Sequence, residues 1–412
     1  MKTRKHLLST LLLISMVTFG VSAQAAEANN CIDGIPTGKF ATWGMVGRLV
    51  PTFIAKQERF YAQNCVNPEF AYQPDINALE ATLTDKSYTG SVTPEAVFGA
   101  LIKASQGAWP EGVPLPAMVS GISYDHFMVF GDIEVKNLPG KVLGTQRCPD
   151  TTLHENGGNW VDVTERDDEK YEVNTPNTGT SIILEVLRGA KERGDLPEDT
   201  KLICGSQFLS NPELRPLYQN AIYIEEGNGS KVRVAQLLSR DYAAATGWVT
   251  DFESANRENP EIKIWGENTG EKGFLAAGIF AYPKVAEMNK KLICGMEKSH
   301  RQATELLLQG SLNVKDGKIK MDKAGEKAFN AFKTAVLKQD NNYIRRRLVV
   351  MDGTSIDEEA TNTSIAKAME VLRAKVWTLD TDVSPDGLHT IWRWYKINDV
   401  LKKGFAKPLC TR

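Results

Sequence analysis

Histidine is scarce in this 412-residue chain: there are five, and His6, His126, His154, His300 and His389 stand far apart. No second histidine stands at ligand spacing, and no two of the six cysteines are spaced C-x-x-C, so no metal site is expected. The motifs of nucleophilic and phosphoryl chemistry are also missing. There is no G-x-S-x-G, no H-E-x-x-H and no P-loop, and "GENTGEKG" at 266–273 has the wrong spacing for one. These absences argue against an enzyme and against a resident cofactor. Basic charge is not in excess: Lys and Arg number 49 against 51 Asp and Glu, with no basic stripe, which argues against a nucleic-acid partner. After residue 25 no stretch is apolar enough to span a bilayer, so no membrane insertion of the mature chain is expected.

The longest apolar stretch stands at the start. "MKTRKHLLSTLLLISMVTFGVSAQA" has a basic opening (Lys2, Arg4, Lys5), an apolar run from Leu7 to Val21, and small residues at Ala23 and Ala25. That is the layout of a secretory signal peptide cut near Ala25, and it predicts a periplasmic, soluble protein. Cys31 follows the polar "EANN" and is not placed as a lipoprotein cysteine. Removing three basic residues leaves 46 against 51 acidic ones, so the formal charge moves from -2 to -5. Cys31, Cys65, Cys148, Cys204, Cys294 and Cys410 all survive cleavage, and an even count in an oxidising compartment predicts disulfides. Six cysteines allow 15 connectivities, so the pairing has to come from topology.

The mature chain is long enough for two lobes. "TGKFATWGMVG" reads as a strand ending at Gly44. "RLVPTFIAKQERFYAQN" reads as a helix with Leu49, Val50, Phe53, Ile54, Phe60 and Tyr61 on one face. "NPEFAYQ" is a strand, "DINALEATLTD" a helix capped by Asp75, and "SYTGSVTPEAVFGALIKASQG" a strand and helix with Thr93 as cap and Pro94 in the first turn. The alternation predicts parallel sheets covered by helices. "PLPAMVSGISYDHFMVFGD" breaks it with two extended segments in succession, and "GFLAAGIFAYP" is a further extended run. The expected fold class is α/β. Lobe 1 spans 31–130, lobe 2 spans 131–269, and 270–412 completes lobe 1 and adds a helical C-terminal tail. Crossings near 118–132 and 267–281 join the lobes. "KLICG" at 201 and at 291 is expected to be a strand first and part of a helix second.

"VPTFIAKQERFYAQN", "VTPEAVFGALIKA", "VSGISYDHFMVF", "VKNLPGKVLGTQ", "NTGTSIILEVLRGAKERGDLPEDTKLI" and "VAQLLSRDYAAATGWVTDFES" follow one another in an order that resembles a known family. The chain is similar to periplasmic solute-binding proteins of ABC transporters of the nitrate/sulfonate/taurine type, over roughly residues 38 to 310. The resemblance implies a type II periplasmic binding fold of two Rossmann-like lobes. It also implies a small-molecule ligand, an ABC permease as partner, and a monomer without catalytic residues or cofactor. Two segments depart from the family: the polar 148–176, where a short loop is usual, and the long tail after Gly310.

Candidate ligand residues lie at strand ends and helix starts. "NTPNTGTS" precedes a helix, whose first turn exposes unpaired N–H groups and partial positive charge. Asn177 or Thr178 can cap it, Gly179 lets a ligand approach the backbone, and Thr180 adds a hydroxyl, so the helix start can hold an acidic group. The resemblance implies that this helix start faces the cleft. Trp43, Gly44 and Met45 end the first strand, and Arg48 opens the next helix. Ser91 and Thr93 lie at the third strand–helix junction, and Ser123 and Tyr124 on the first crossing. Trp248 and Asp251 follow the "DYAAATG" strand. Each has a competing structural role: core packing for Trp43, a solvated surface for Arg48, capping for Thr93 and Asp251. His126 is expected to be a hydrogen-bonded hinge residue.

Topology suggests the disulfides. Cys31 and Cys65 each precede one of two neighbouring parallel strands, Cys148 and Cys204 each end a strand of lobe 2, and Cys294 and Cys410 remain to staple the tail to lobe 1. The resulting expectation is an extracytoplasmic receptor for a sulfonate, nitrate, carboxylate or amino-sulfonate. Its rivals are a pyrimidine-synthesis-type enzyme on the same architecture and the sensing subunit of a membrane receptor.

Overall fold

The computed structural model describes residues 31, 34–42, 47–73, 81–82, 85–94, 100, 107, 110–112, 117–145, 152–154, 158–162, 178–204, 220–226, 230–267, 274–337, 362–379 and 409–410. The expectations for the signal peptide, for Trp43, Gly44 and Met45, for Asn177, and for Cys148 fall outside these residues. So does that for most of the 75–85 helix.

The first described strand, β1 (Thr37–Thr42), turns Phe40, Ala41 and Thr42 inward. A 3-10 turn (Gly47–Leu49) leads into helix α1 (Val50–Gln57), with Pro51 in the first turn, where its missing N–H costs nothing. The expected single helix is two. Arg59 adopts a left-handed backbone, φ 63°, and separates α1 from α2 (Phe60–Gln63). Strand β2 (Asn67–Tyr72) lies parallel to β1 in the register Thr37 to Asn67, and β3 (Gly90–Ser91) pairs parallel on the other side.

Two strands then follow without a helix, as the sequence predicts. β4 (Ala117–Asp125) belongs to the first sheet and β5 (Phe127–Gly131) to the second, so the chain changes sheets at His126. Phe127–Phe130, expected at the end of lobe 1, are strand residues of the second sheet and fully buried there. β6 (Val142–Thr145) is followed by the hairpin β7 (Thr152–His154) and β8 (Gly158–Asp162). The polar departure from the family is therefore partly sheet: β8 pairs antiparallel with β9 (Lys201–Cys204). Between them runs helix α3 (Thr178–Glu192). β10 (Ala221–Glu226), α4 (Ser230–Leu238), β11 (Ala244–Trp248), α5 (Val249–Glu258) and β12 (Lys263–Glu267) complete the lobe. Its sheet order is β12-β5-β11-β6-β10-β9-β8-β7, with parallel pairing from β11 to β9 and antiparallel edges. Leu143, Leu202, Ile222 and Ile224 of the strands and Ile183, Leu184 and Leu187 of α3 form one core.

β13 (Phe274–Ala281) returns to the first sheet, antiparallel between β3 and β4, which gives the order β2-β1-β3-β13-β4. Helices α6 (Pro283–Met288) and α7 (Lys290–Leu308) follow. α7 buries Leu292, Ile293, Met296, His300, Ala303 and Leu307, spaced by three and four, against α1 and α2. The tail is not wholly helical. Leu312–Lys315 (β14) and Lys318–Met321 (β15) form a hairpin, turned by Asp316 and Gly317, both with positive φ. Helices α8 (Lys323–Leu337) and α9 (Asn362–Lys375) follow.

The protein is thus a two-lobed α/β fold with two crossings and a C-terminal extension. Cys31 bonds Cys65 ahead of the neighbouring strands β1 and β2, and Cys294 of α7 bonds Cys410. Cys204 closes β9. α9 packs on β14, β15 and α8 and also on α5 of the second lobe, where Arg257 and Glu370 approach to 3.8 Å. One apolar core therefore runs from lobe 1 through Met369, Leu372 and Trp377 to Val249 and Ala255.

Candidate functional site

Parallel strands present their carboxyl ends along one edge, and a helix linking two of them runs back antiparallel, starting at that edge. In lobe 2 this edge carries Thr145 at the end of β6 and Trp248 at the end of β11. In lobe 1 it carries the end of β1 at Thr42 and the end of β3 at Ser91. Asp125 and His126 lie between the two edges, at the crossing.

Arg48 and Trp248 meet here from opposite lobes. The guanidinium carbon is 5.0 Å from the centre of the indole ring, and the residues are 5% and 8% exposed. A cation over an aromatic face, away from water, is worth about 2 kcal/mol. Phe127 packs against Trp248 in a T-shaped arrangement, ring centroids 4.9 Å apart. Arg48 is therefore buried between the lobes, not solvated. Its carbonyl accepts a 2.8 Å hydrogen bond from Ser123 Oγ, which ties the Arg48 turn to β4.

Asp251, the third residue of α5, accepts the Trp248 backbone N–H at 2.8 Å through Oδ2. This is the capping arrangement weighed against ligand contact in the sequence. Gly247 makes it fit: a Cβ there would lie 2.9 Å from both Cβ and Oδ2 of Asp251. Ser91 Oγ accepts the Thr93 N–H at 3.1 Å and lies 3.2 Å from the Ala41 carbonyl, so the Ser91–Thr93 turn is closed on itself and buried. Tyr124 is buried, its ring in the lobe-2 core, and its N–H donates to the Val376 carbonyl. Thr178, Gly179 and Thr180 open α3 as expected; their side chains lie outside the described residues. His126 is half-buried, and its carbonyl accepts the Val249 N–H at 2.8 Å, so it does link the crossing to lobe 2.

Arg48, Ser123, Trp248 and Asp251 are thus brought together, and Ser91 and Thr93 line the neighbouring strand end. Sequence reasoning missed Asp125. Its Oδ1 accepts the His126 N–H at 2.8 Å, and burial pushes its carboxyl up to about 7, against the pull of Arg48. The available signal was a carboxylate in the middle of the apolar "VSGISYDHFMVF", where burial is the rule. Sequence reasoning also missed Trp377, whose Nε1 donates to the Gly47 carbonyl at 3.0 Å directly behind the Arg48 turn. No cluster of metal-ligating side chains occurs among the described residues.

No family model and no curated protein matches the chain. Solved structures of similar overall form include the zinc-bound ligand-binding component of an ABC-type import system from Staphylococcus aureus. It is 9% identical over 91% of this chain and 97% of that one, with a TM-score of 0.45. The alkanesulfonate-binding protein of Xanthomonas axonopodis pv. citri, bound to MOPS, is 12% identical over 90% and 96%, with a TM-score of 0.43. The periplasmic aliphatic sulphonate-binding protein of Escherichia coli is 10% identical over 91% and 94%, also with a TM-score of 0.43.

Proposed function

We propose that this chain is an exported solute-binding protein, cut near Ala25, that captures a small polar or anionic solute between its lobes and delivers it to an ABC permease. The observation that carries the reading is the meeting of Arg48 from lobe 1 with Trp248 from lobe 2, at the joint where both sheets present their strand ends. A guanidinium and the first turn of α3 are both suited to a sulfonate, nitrate or carboxylate group. Trp248 offers an apolar face for the rest of the solute. Closure about the two crossings would bury the solute and form the surface a permease reads.

Native mass spectrometry of the purified protein, followed by calorimetry with aliphatic sulfonates, amino-sulfonates, nitrate and small carboxylates, tests this. At least one of these is expected to bind, and Arg48→Ala to weaken it 10- to 150-fold, the equivalent of about 1.5–3 kcal/mol for a hydrogen bond to a charged group. A protein that retains no small molecule and binds none of the panel is not such a receptor. Affinity within threefold of wild type in the variant removes Arg48 from the site.

A further inference from the structure

The C-terminal extension touches both lobes, on unequal terms. Its attachments to lobe 1 are directional. Arg373 of α9 donates through Nη2 to the carbonyls of Leu308 and Gln309, each at 2.9 Å, where α7 ends. Val376 and Trp377, just after α9, line the β4 edge through the Tyr124 N–H and the bridge to Ser123. The attachment to lobe 2 is looser. α9 packs on α5, and Arg257 Nη2 lies 3.8 Å from Glu370 Oε2, with side chains 34% and 29% exposed. An ion pair so long and so wet holds weakly. The buried residues of α9 run from Val371 through Leu372 and Met369 round to Ala366, an arc of roughly 220° at about 100° per residue. A helix resting on one surface buries a narrower stripe, so α9 is gripped from two sides.

α5 starts at the pivot between the lobes. The N–H of Val249, its first residue, donates to the His126 carbonyl at 2.8 Å, and at His126 the chain changes sheets. Arg257 lies about 12 Å further along the helix, at about 1.5 Å per residue. Rotating lobe 2 about this crossing by about 15° therefore moves Arg257 by up to about 3 Å. That is enough to part an ion pair already at 3.8 Å. We propose that the C-terminal extension is a strap across the joint: α9, fixed to lobe 1, holds lobe 2 by α5, and the lobes rotate apart only as this contact gives way. The strap yields on its lobe-2 side, where packing and one long ion pair hold it, and stays fixed on lobe 1 by its hydrogen bonds. It acts on the lobes whether or not a solute lies between them, so it stands apart from solute capture; in a solute receptor it sets how readily the cleft opens.

The test uses the full, solute-free chain. p-Acetylphenylalanine in place of Lys298 in lobe 1 and Glu198 in lobe 2, both exposed, carries nitroxides without touching the cysteines, and double electron–electron resonance reads the distance between the lobes. Arg257→Glu sets a second carboxylate against Glu370 and leaves the Glu370 bond from the Val314 N–H in place. A second, rotated population is expected, with the ratio of rotated to strapped molecules up to about fivefold above the wild type's. Exchanging the charges, Arg257→Glu together with Glu370→Arg, is expected to restore the wild-type distribution. A distribution in Arg257→Glu equal to the wild type's overturns the proposal. So does a shift that the charge exchange leaves in place, since it then comes from damage to α5 or α9 and not from the contact between them. Should Arg257→Glu not fold, Arg257→Gln removes the attraction alone and must shift the ratio the same way by a smaller factor; an unchanged ratio overturns the proposal equally.

Discussion

His300 shows how much one buried side chain can report. Its Nε2 lies 2.6 Å from Tyr61 Oη, and Tyr61 Oη lies 3.0 Å from the Thr52 carbonyl. A carbonyl only accepts, so the tyrosine proton points to Thr52 and the imidazole donates through Nε2–H. Nδ1 is then the bare acceptor, buried and without a hydrogen-bond partner. Burial lowers His300 from 6.5 to about 3 and raises Tyr61 well above its ordinary value. The unfolded chain therefore takes up this proton before the folded one does. The contribution is complete above pH 6.5 and is lost as the pH falls from there towards 3. Between pH 6.5 and 5 the wild type is expected to lose about 1.5 kcal/mol that His300→Gln does not lose, in urea unfolding at the two pH values. Equal losses in the two proteins would place the acid sensitivity elsewhere.

Elements were most legible where a pattern was long or a cap explicit. The α5 start is one such case. Asp251 caps the Trp248 N–H, so Asp251→Ala should cost about 0.5–2 kcal/mol in thermal unfolding, while Asp251→Asn, which keeps an acceptor, should cost less. Equal losses in the two variants would mean that charge, not capping, gives Asp251 its role. The two "KLICG" segments were separated correctly by their surroundings: 201–204 is strand β9, and 291–295 lies within α7. The two lobes and the crossing through 117–131 were legible because two apolar strands without an intervening helix cannot belong to one β/α repeat. The β14–β15 hairpin was missed, although alternation around an Asp-Gly turn in "LNVKDGKIKM" marks it, because the helices on both sides dominated the reading. The break at Arg59 had no signal, since nothing in "AKQERFY" favours a left-handed backbone. Asp125 was hidden for a related reason: hydrophobic pattern shows which strand is buried, not which carboxylate the neighbouring lobe will cover.

At the scale of the molecule, the C-terminal extension determines how the joint can move. β4 is an edge strand of the first sheet, and its last residues lead directly into the crossing. That edge is not left open. Tyr124 donates its N–H to the Val376 carbonyl, Ser123 bridges antiparallel to Trp377, and the Trp377 indole reaches past β4 to the Gly47 carbonyl while packing 5.5 Å from Phe332 of α8. One side chain of the extension thus holds the Arg48 turn and the crossing strand together, and α9 carries the same contact on to α5 in lobe 2. Trp377→Phe keeps a ring in the apolar site but removes the bond to Gly47, at about 1 kcal/mol. A local loss of that size opens the neighbouring backbone about fivefold more often. Hydrogen–deuterium exchange over 120–127 should therefore quicken about fivefold in Trp377→Phe, while β9 to β10 in the far lobe stay at the wild-type rate. Acceleration spread evenly over both sheets would mean that Trp377 stabilises the whole fold without acting on the joint. Unchanged exchange at 120–127 would mean that the β4 edge holds the crossing without it.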